Sequence, residues 1–347
     1  MSSLTQTAHI GRISIKYGSI GLIVFVILWS SITTAIKNYQ KNKLENTPDV
    51  RYGKLPAIVF PQKDFQTKTF SLELPKETFP KTPAVSKVFV VFRPVSTLLA
   101  LEQDAQTAKK MGFTGKPVEI RTAVYQFSKP NSDQILTMNV MDGSFNLSYP
   151  YKDDQLLITS KNLPEKNQAI SIAKSFLDSA DKIHPDLDSG NQIVSYWSIS
   201  SQGIKKVNSF SEANAIKVDF ARQKIDDIYP IVSSNPDAPP ISVLISASTV
   251  ETKRIIEVNY KYAPVDNESF SRYPIISAEQ AYSLLTKGDY WPARDSQTNQ
   301  VVIKNIYLAY YEPTTLTNFM QPIYVFEGSD NFIGYVSAIT SNYISRQ

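Results

Sequence analysis

Ser171 and Lys174 stand as S-x-x-K, the spacing at which a lysine amine can take the proton from a serine nucleophile. Ser233 to Asn235 adds an S-x-N, but no K-T-G follows, so the set that chemistry needs is incomplete. A nucleophile at Ser171 must line a cleft beside Lys174; a structural serine lies on an ordinary helix face. His9 and His184 are the chain's two imidazoles. A Ser-His-Asp triad would have to use His184, and no G-x-S-x-G elbow accompanies it. At the end of "SADKIHPDLDSG", His184 reads instead as a dipole partner for a helix C-terminus. "DLDSGN", Asp186 to Asn191, opens like a calcium loop, yet its twelfth position is Trp197 where a bidentate glutamate is required. A solvated turn fits that stretch better. Asp153–Asp154 and Asp226–Asp227 are adjacent pairs, and neighbours on a strand face opposite ways, so neither makes an acid/base couple. No glycine-rich phosphate loop exists among the 12 glycines. The absence of cysteine removes thiolate nucleophiles, disulfides and Cys-based metal sites. The sequence therefore assigns no catalytic, cofactor-binding or metal-binding residue, and the expectation is a non-enzyme without cofactor.

A chain of 347 residues is too long for one ordinary core and suits two or three domains. Its 42% hydrophobic and 20% charged residues describe a folded chain rather than a disordered one. The net charge of +4 is spread without a basic block or an arginine–aromatic stripe, which argues against nucleic acid as a partner.

Residues 17–36, "YGSIGLIVFVILWSSITTAI", carry no charge and are bracketed by Arg12, Lys16 and Lys37. Twenty helical residues span roughly 30 Å, so a transmembrane anchor is expected, with membrane lipid as its partner. The short apolar part, Ile20 to Trp29, and "TTA" at Thr33 to Ala35 also suit a cleaved signal peptide; the full uncharged length favours a retained anchor. Residues 1–16 then form a cytoplasmic tail, 37–80 a Pro- and Lys-rich stalk, and the remainder lies outside the cytoplasm.

Beyond the stalk the expected fold class is α+β: repeated modules, each a helix laid over an antiparallel sheet, at 81–160, 161–268 and 269–347. In the first module, Ser96 caps a helix whose Leu98, Leu101, Ala105 and Ala108 share a face, and Gly112 stops it. Asn162 with Glu165 forms a capping box for the second helix, and Ser277 with Gln280 for the third. In "IKNIYLAYYEPTTLTNFMQPIYVFEG", Ile306, Leu308 and Tyr310 alternate with Tyr307, Ala309 and Tyr311. Ile323 and Val325 likewise oppose Tyr324 and Phe326. One face packs on the Ser277 helix; on the other, aromatic side chains offer a surface. Tyr307, Tyr311, Tyr324 and Phe326 are the candidate partner-binding residues, although aromatics also simply form strands well.

Residues 269–347 resemble the C-terminal module of YycH/YycI-type accessory proteins and, more loosely, PepSY-like domains. The resemblance rests on "YPIISAEQAYSLLTKGDY", the strand pair "IKNIYLAYYE" and "QPIYVFEG", and the closing "YVSAI". It implies a membrane-anchored regulator that tunes a sensor histidine kinase controlling cell-wall metabolism. The expected function is a non-catalytic, single-pass membrane protein binding a protein or cell-envelope component. The alternatives are an envelope serine hydrolase using Ser171 and Lys174, and a structural part of a surface assembly joined through strand edges.

Overall fold

Alternation of apolar and polar side chains between turn residues makes this chain a strand former, and the strands gather into two sheets. The computed structural model describes residues 25–26, 28–34, 36–37, 46–92, 99–237, 239–312 and 317–345.

The first sheet has nine strands, antiparallel throughout. Their order is β3 (Val118–Arg121), β4 (Val124–Ser128), β5 (Ile135–Asn139), β6 (Ser144–Ser148), β12 (Ile255–Tyr260), β11 (Ile241–Ser246), β9 (Ala215–Phe220), β7 (Gln192–Ser200) and β8 (Gly203–Val207). Helices α1 (Ala100–Lys110) and α2 (Lys166–Ser179) pack on one face, where Ala108, Ala173 and Leu177 meet Phe127, Leu147, Val218 and Val243. Alternation along each strand turns the intervening residues to the opposite face.

The second sheet has eight strands. Its spine is β1 (Thr69–Leu72), β15 (Gln300–Glu312), β16 (Phe319–Gly328), β17 (Ile333–Ser337) and β14 (Trp291–Arg294). β10 (Ile231–Ser233) lies parallel to the end of β15, and β2 (Val85–Val91) links β16 to β13 (Val265–Pro274). Helix α3 (Ala278–Thr286) covers one face: Ala281 and Leu285 pack with Ile306, Leu308, Tyr324 and Phe326. The other face is closed by Ile58 and Phe60, which pack on Tyr311, Trp291 and Tyr335.

Local signals held where the local chemistry is complete. Ser277 Oγ accepts from Gln280 N at 3.2 Å while Gln280 Oε1 accepts from Ser277 N at 2.8 Å, the expected reciprocal cap. Gly112 ends α1 with φ +88°, a left-handed turn that favours glycine. The second helix starts later than expected. Its cap is Glu165 with Gln168 rather than Asn162 with Glu165, because Pro164 disfavours a helical conformation at Leu163. Ser96 and Leu98 lie outside the described residues.

Three expectations on architecture are corrected. Instead of the expected α+β class of helix-plus-sheet modules, the described residues are richer in strand than in helix and form two large sheets, and strands from 81–160 and 161–268 share one of them, since β6 pairs with β12 through Phe145↔Tyr260 and Leu147↔Val258. β2, expected in the first module, belongs to the second sheet. The apolar pattern of a strand fixes which face it buries but not which distant strand it joins. Next, the segment expected as a stalk is built into the second sheet. Leu55 is fully buried, β1 pairs in parallel with β15, and Lys68 reaches Asp295 at 3.3 Å from a buried site. The third correction concerns the membrane. Among the described residues no helix is long and apolar enough to cross one, so the single-pass anchor and the extracytoplasmic placement built on it are not supported. Residues 17–24, 27 and 35 of that expected span lie outside the described residues; residues 25–26, 28–34 and 36 are helical.

Candidate functional site

Arg222 stands two residues past β9, at the end of a strand whose last three residues are buried. Its side chain turns toward the second sheet and is itself only 6% exposed. A buried guanidinium needs partners on every side, and it has them. Nε donates to Asp186 Oδ2 at 2.6 Å, while Nη1 donates to Glu312 Oε1 at 2.8 Å and to the Ala263 carbonyl at 2.9 Å. Asp186 is held in turn by the Tyr262 hydroxyl, which donates to Oδ1 at 2.9 Å. The Tyr262 ring lies 4.6 Å from the guanidinium carbon, and His184 stacks on that ring at 4.1 Å. Burial alone would lower the Arg222 pKa; Glu312 and then Asp186 outweigh it and raise it, so the cation stays fixed. Burial also depresses His184, in part against the pull of Asp186. Asp186 and Arg222 belong to the first sheet's side and Glu312 ends β15 of the second. The cluster is an ionic clasp between the two sheets.

Beside the clasp opens a cleft of about 530 Å³. Ile193, Ser195 and Trp197 of β7 and Asp219 of β9 form one wall; Tyr307, Val325 and Tyr335 form the other. Pro236, Pro239 and Pro240 of the loop after β10 cross it. The Trp197 indole N–H donates to Ser195 Oγ at 2.8 Å, and Lys217 Nζ sits 5.4 Å from the Trp197 ring. Asp219 Oδ1 is 3.5 Å from Lys217 Nζ and has no hydrogen bond among the described residues. Burial raises the Asp219 pKa, with Lys217 opposing. A larger groove of about 760 Å³ runs between residues 57–60, α3 and β17, but it involves the second sheet alone. Ligand sites favour junctions between folded units with a few convergent polar groups, which the smaller cleft satisfies.

The sequence-predicted residues scatter. Ser171 Oγ donates to the Asn167 carbonyl at 3.0 Å, a bond within its own helix, and Lys174 Nζ pairs with Asp188 at 2.6 Å. The two make no nucleophile–base contact. Asp186 serves Arg222, and the described residues hold no cluster of His, Cys, Asp or Glu suited to a metal. Asp153 and Asp154 also diverge: Asp154 pairs with Lys253 at 2.5 Å and caps Leu157 N at 3.1 Å. Among the four aromatic candidates, Tyr324 and Phe326 are fully buried under α3 and Tyr311 is 2% exposed beneath Phe60. The register explains this, since Tyr324 opposes Leu308 and Phe326 opposes Ile306 on the helix-covered side. Those three are buried in the second sheet. Tyr307 alone of the four lines the cleft, half-buried, with its hydroxyl donating to Glu327 at 2.9 Å.

Arg222 and Glu312 escaped sequence reading. The available signal was faint: a charged residue directly after an apolar strand run, in "VDFAR" and in "LAYYE".

Comparison with known proteins adds little. No family model matches the chain, and no curated protein matches it. The YycH/YycI-type and PepSY-like resemblance therefore finds no support there and is not carried forward. Among solved structures, an uncharacterized protein from Eubacterium rectale ATCC 33656 aligns with TM-score 0.36 and 11% identity, over 80% of this chain and 91% of that one. A likeness at that level carries no argument about fold or function.

Proposed function

We propose that this chain is a binding protein rather than a catalyst, and that its ligand seat is the cleft between the two sheets. The observation that carries the reading is the joint itself. A cavity of about 530 Å³ with aromatic, aliphatic and polar walls opens beside the buried Arg222–Asp186–Glu312 clasp. Its size falls in the range of small-molecule sites, roughly 300–1,000 Å³. Trp197, Tyr307, Tyr335 and the prolines suit an apolar body, and Asp219, Lys206 and Ser195 suit hydrogen-bonding groups. The fitting ligand is a small amphipathic organic molecule. A seat walled by two sheets also couples occupancy to how the sheets sit against each other, which is the property a regulatory binding protein needs.

The hydrolase alternative has no observation in its favour, since Ser171 and Lys174 are each engaged elsewhere. A thermal-shift screen of small amphipathic compounds tests the proposal when run beside Ile193→Trp. Ile193 lines the cleft and is 49% exposed, so tryptophan there fills the space without entering a core. Stabilising compounds should lose their effect in the variant. Compounds that stabilise both proteins equally would place the binding site elsewhere.

A further inference from the structure

Most polar side chains on the walls of the cleft between the sheets are already engaged. Arg222 is held by Asp186 and Glu312, and Asp237 pairs with Arg294. The Tyr307 hydroxyl donates to Glu327 at 2.9 Å, that of Tyr335 to the Ser233 carbonyl at 3.0 Å, and Ser233 Oγ to the Asn235 carbonyl at 2.9 Å. Asp219 and Ser195 keep capacity to spare. Asp219 is only 9% exposed, yet its Oδ1 accepts no hydrogen bond among the described residues. Lys217 Nζ stands 3.5 Å from that oxygen, an ionic contact longer than a hydrogen bond. Ser195 Oγ accepts from the Trp197 indole at 2.8 Å, which leaves the hydroxyl its own proton to give. In the β7–β9 ladder Ile193 opposes Asp219, Ser195 opposes Lys217 and Trp197 opposes Ala215, so these side chains share one face. An open acceptor and an open donor thus lie on a diagonal of the sheet, roughly 7–8 Å apart along the backbone grid.

Charge and hydrogen bonding together choose the head group that fits there. A ligand ammonium would approach Asp219 against the Lys217 cation already beside it. A ligand carboxylate would face Asp219 itself and leave that buried acceptor unmet. A neutral group with a donor and an acceptor side by side satisfies both ends of the diagonal. A carboxamide is such a group: its N–H reaches Asp219 while its carbonyl accepts from Ser195. Trp197, Tyr307 and Pro240 on the remaining walls suit a flat apolar body. We propose that the cleft takes a neutral aromatic carboxamide, with its amide N–H on Asp219 and its carbonyl on Ser195. This preference rests on the cleft being the ligand seat, as proposed above, and narrows the amphipathic ligand to one head-group chemistry.

Ligand-observed NMR titration of the full chain with naphthamide, naphthoate and naphthylmethylammonium, substituted at the same ring position, varies the head group on one flat body. The amide should bind about tenfold tighter than either ion, since only it meets both open groups. Lys217→Met removes the competing cation, so the ammonium should then overtake the amide. Asp219→Leu combined with Lys217→Met takes away both ends of the pair without leaving a buried charge, and should bind all three compounds alike. Ser195→Ala should weaken the amide and leave the ammonium unchanged. Equal affinity for the three head groups, abolished by Ile193→Trp, would overturn the amide preference while leaving the cleft as the seat. Amide binding that survives Ile193→Trp would overturn both. An amide that does not bind at millimolar concentration, or an amide preference that persists in the double variant, would also overturn the proposal.

Discussion

Replacing Glu312 by glutamine removes one charge from the clasp while keeping its volume and an acceptor for Arg222. The pair is buried, with side chains 6% and 7% exposed and 2.8 Å between Nη1 and Oε1. At an effective dielectric near 20, unit charges about 4 Å apart attract by about 4 kcal/mol. Two effects offset part of that: Arg222 keeps Asp186 and the Ala263 carbonyl, and the neutral amide is cheaper to bury than a carboxylate. The expected net loss is about 2–3 kcal/mol. Urea unfolding read by tryptophan fluorescence suits the measurement, because Trp197 reports on the first sheet and Trp291 on the second. A cycle with Arg222→Met and the double variant isolates the coupling between the two charges. It should return about 2 kcal/mol or more, and Glu312→Gln should begin to separate the transitions seen by the two sheets. A coupling below about 0.5 kcal/mol would refute the clasp as an energetic link.

Other outcomes follow from packing and ionisation. Leu308→Ala opens a cavity beneath α3 and should cost about 2–5 kcal/mol, whereas Tyr307→Phe loses the Glu327 hydrogen bond and should cost about 1 kcal/mol; equal losses in chemical denaturation would contradict the two-faced reading of β15. Asp104 is buried on α1 with Oδ2 lacking a hydrogen bond, and burial, only partly offset by Lys182, pushes its pKa up to about 6. A carboxyl raised in the folded state contributes stability that is present below its unfolded pKa and lost as pH rises through the folded one. Stability should therefore decline between about pH 4 and pH 7, and Asp104→Asn should flatten that slope in a series of thermal unfolding curves; an unchanged slope would clear Asp104 of the effect. EDTA should leave the thermal midpoint where it was, because Asp186 is already taken by Arg222 and Tyr262; a marked drop would revive a calcium site at Asp186 to Asn191.

Signals confined to a few residues were the legible ones. The Ser277–Gln280 cap, the Gly112 stop and the stripe of Leu101, Ala105 and Ala108 on α1 all follow from side chains within one or two helical turns. Alternation also placed Ile306 and Leu308 under α3. What failed were long-range pairings. Nothing local in "TFSLEL" says that Thr69–Leu72 will lie parallel to β15, some 230 residues away in the Thr69↔Gln300 pair. Nor does alternation fix register, and shifting Tyr324 by one residue against Leu308 would move it from the face under α3 to the face under Phe60. The site was hidden for the same reason. Arg222 is an ordinary surface cation until Glu312, from the other sheet, comes within 2.8 Å.

Soaking crystals of the full chain with a library of small organic fragments tests the cleft most directly, because bound fragments report where the surface can hold a ligand. Fragments should collect between Trp197 and Asp219 on one side and Tyr307 and Tyr335 on the other, and should be absent there in Ile193→Trp crystals. Fragments gathering in the groove of residues 57–60, α3 and β17, with the cleft beside Arg222 left empty, would contradict the account.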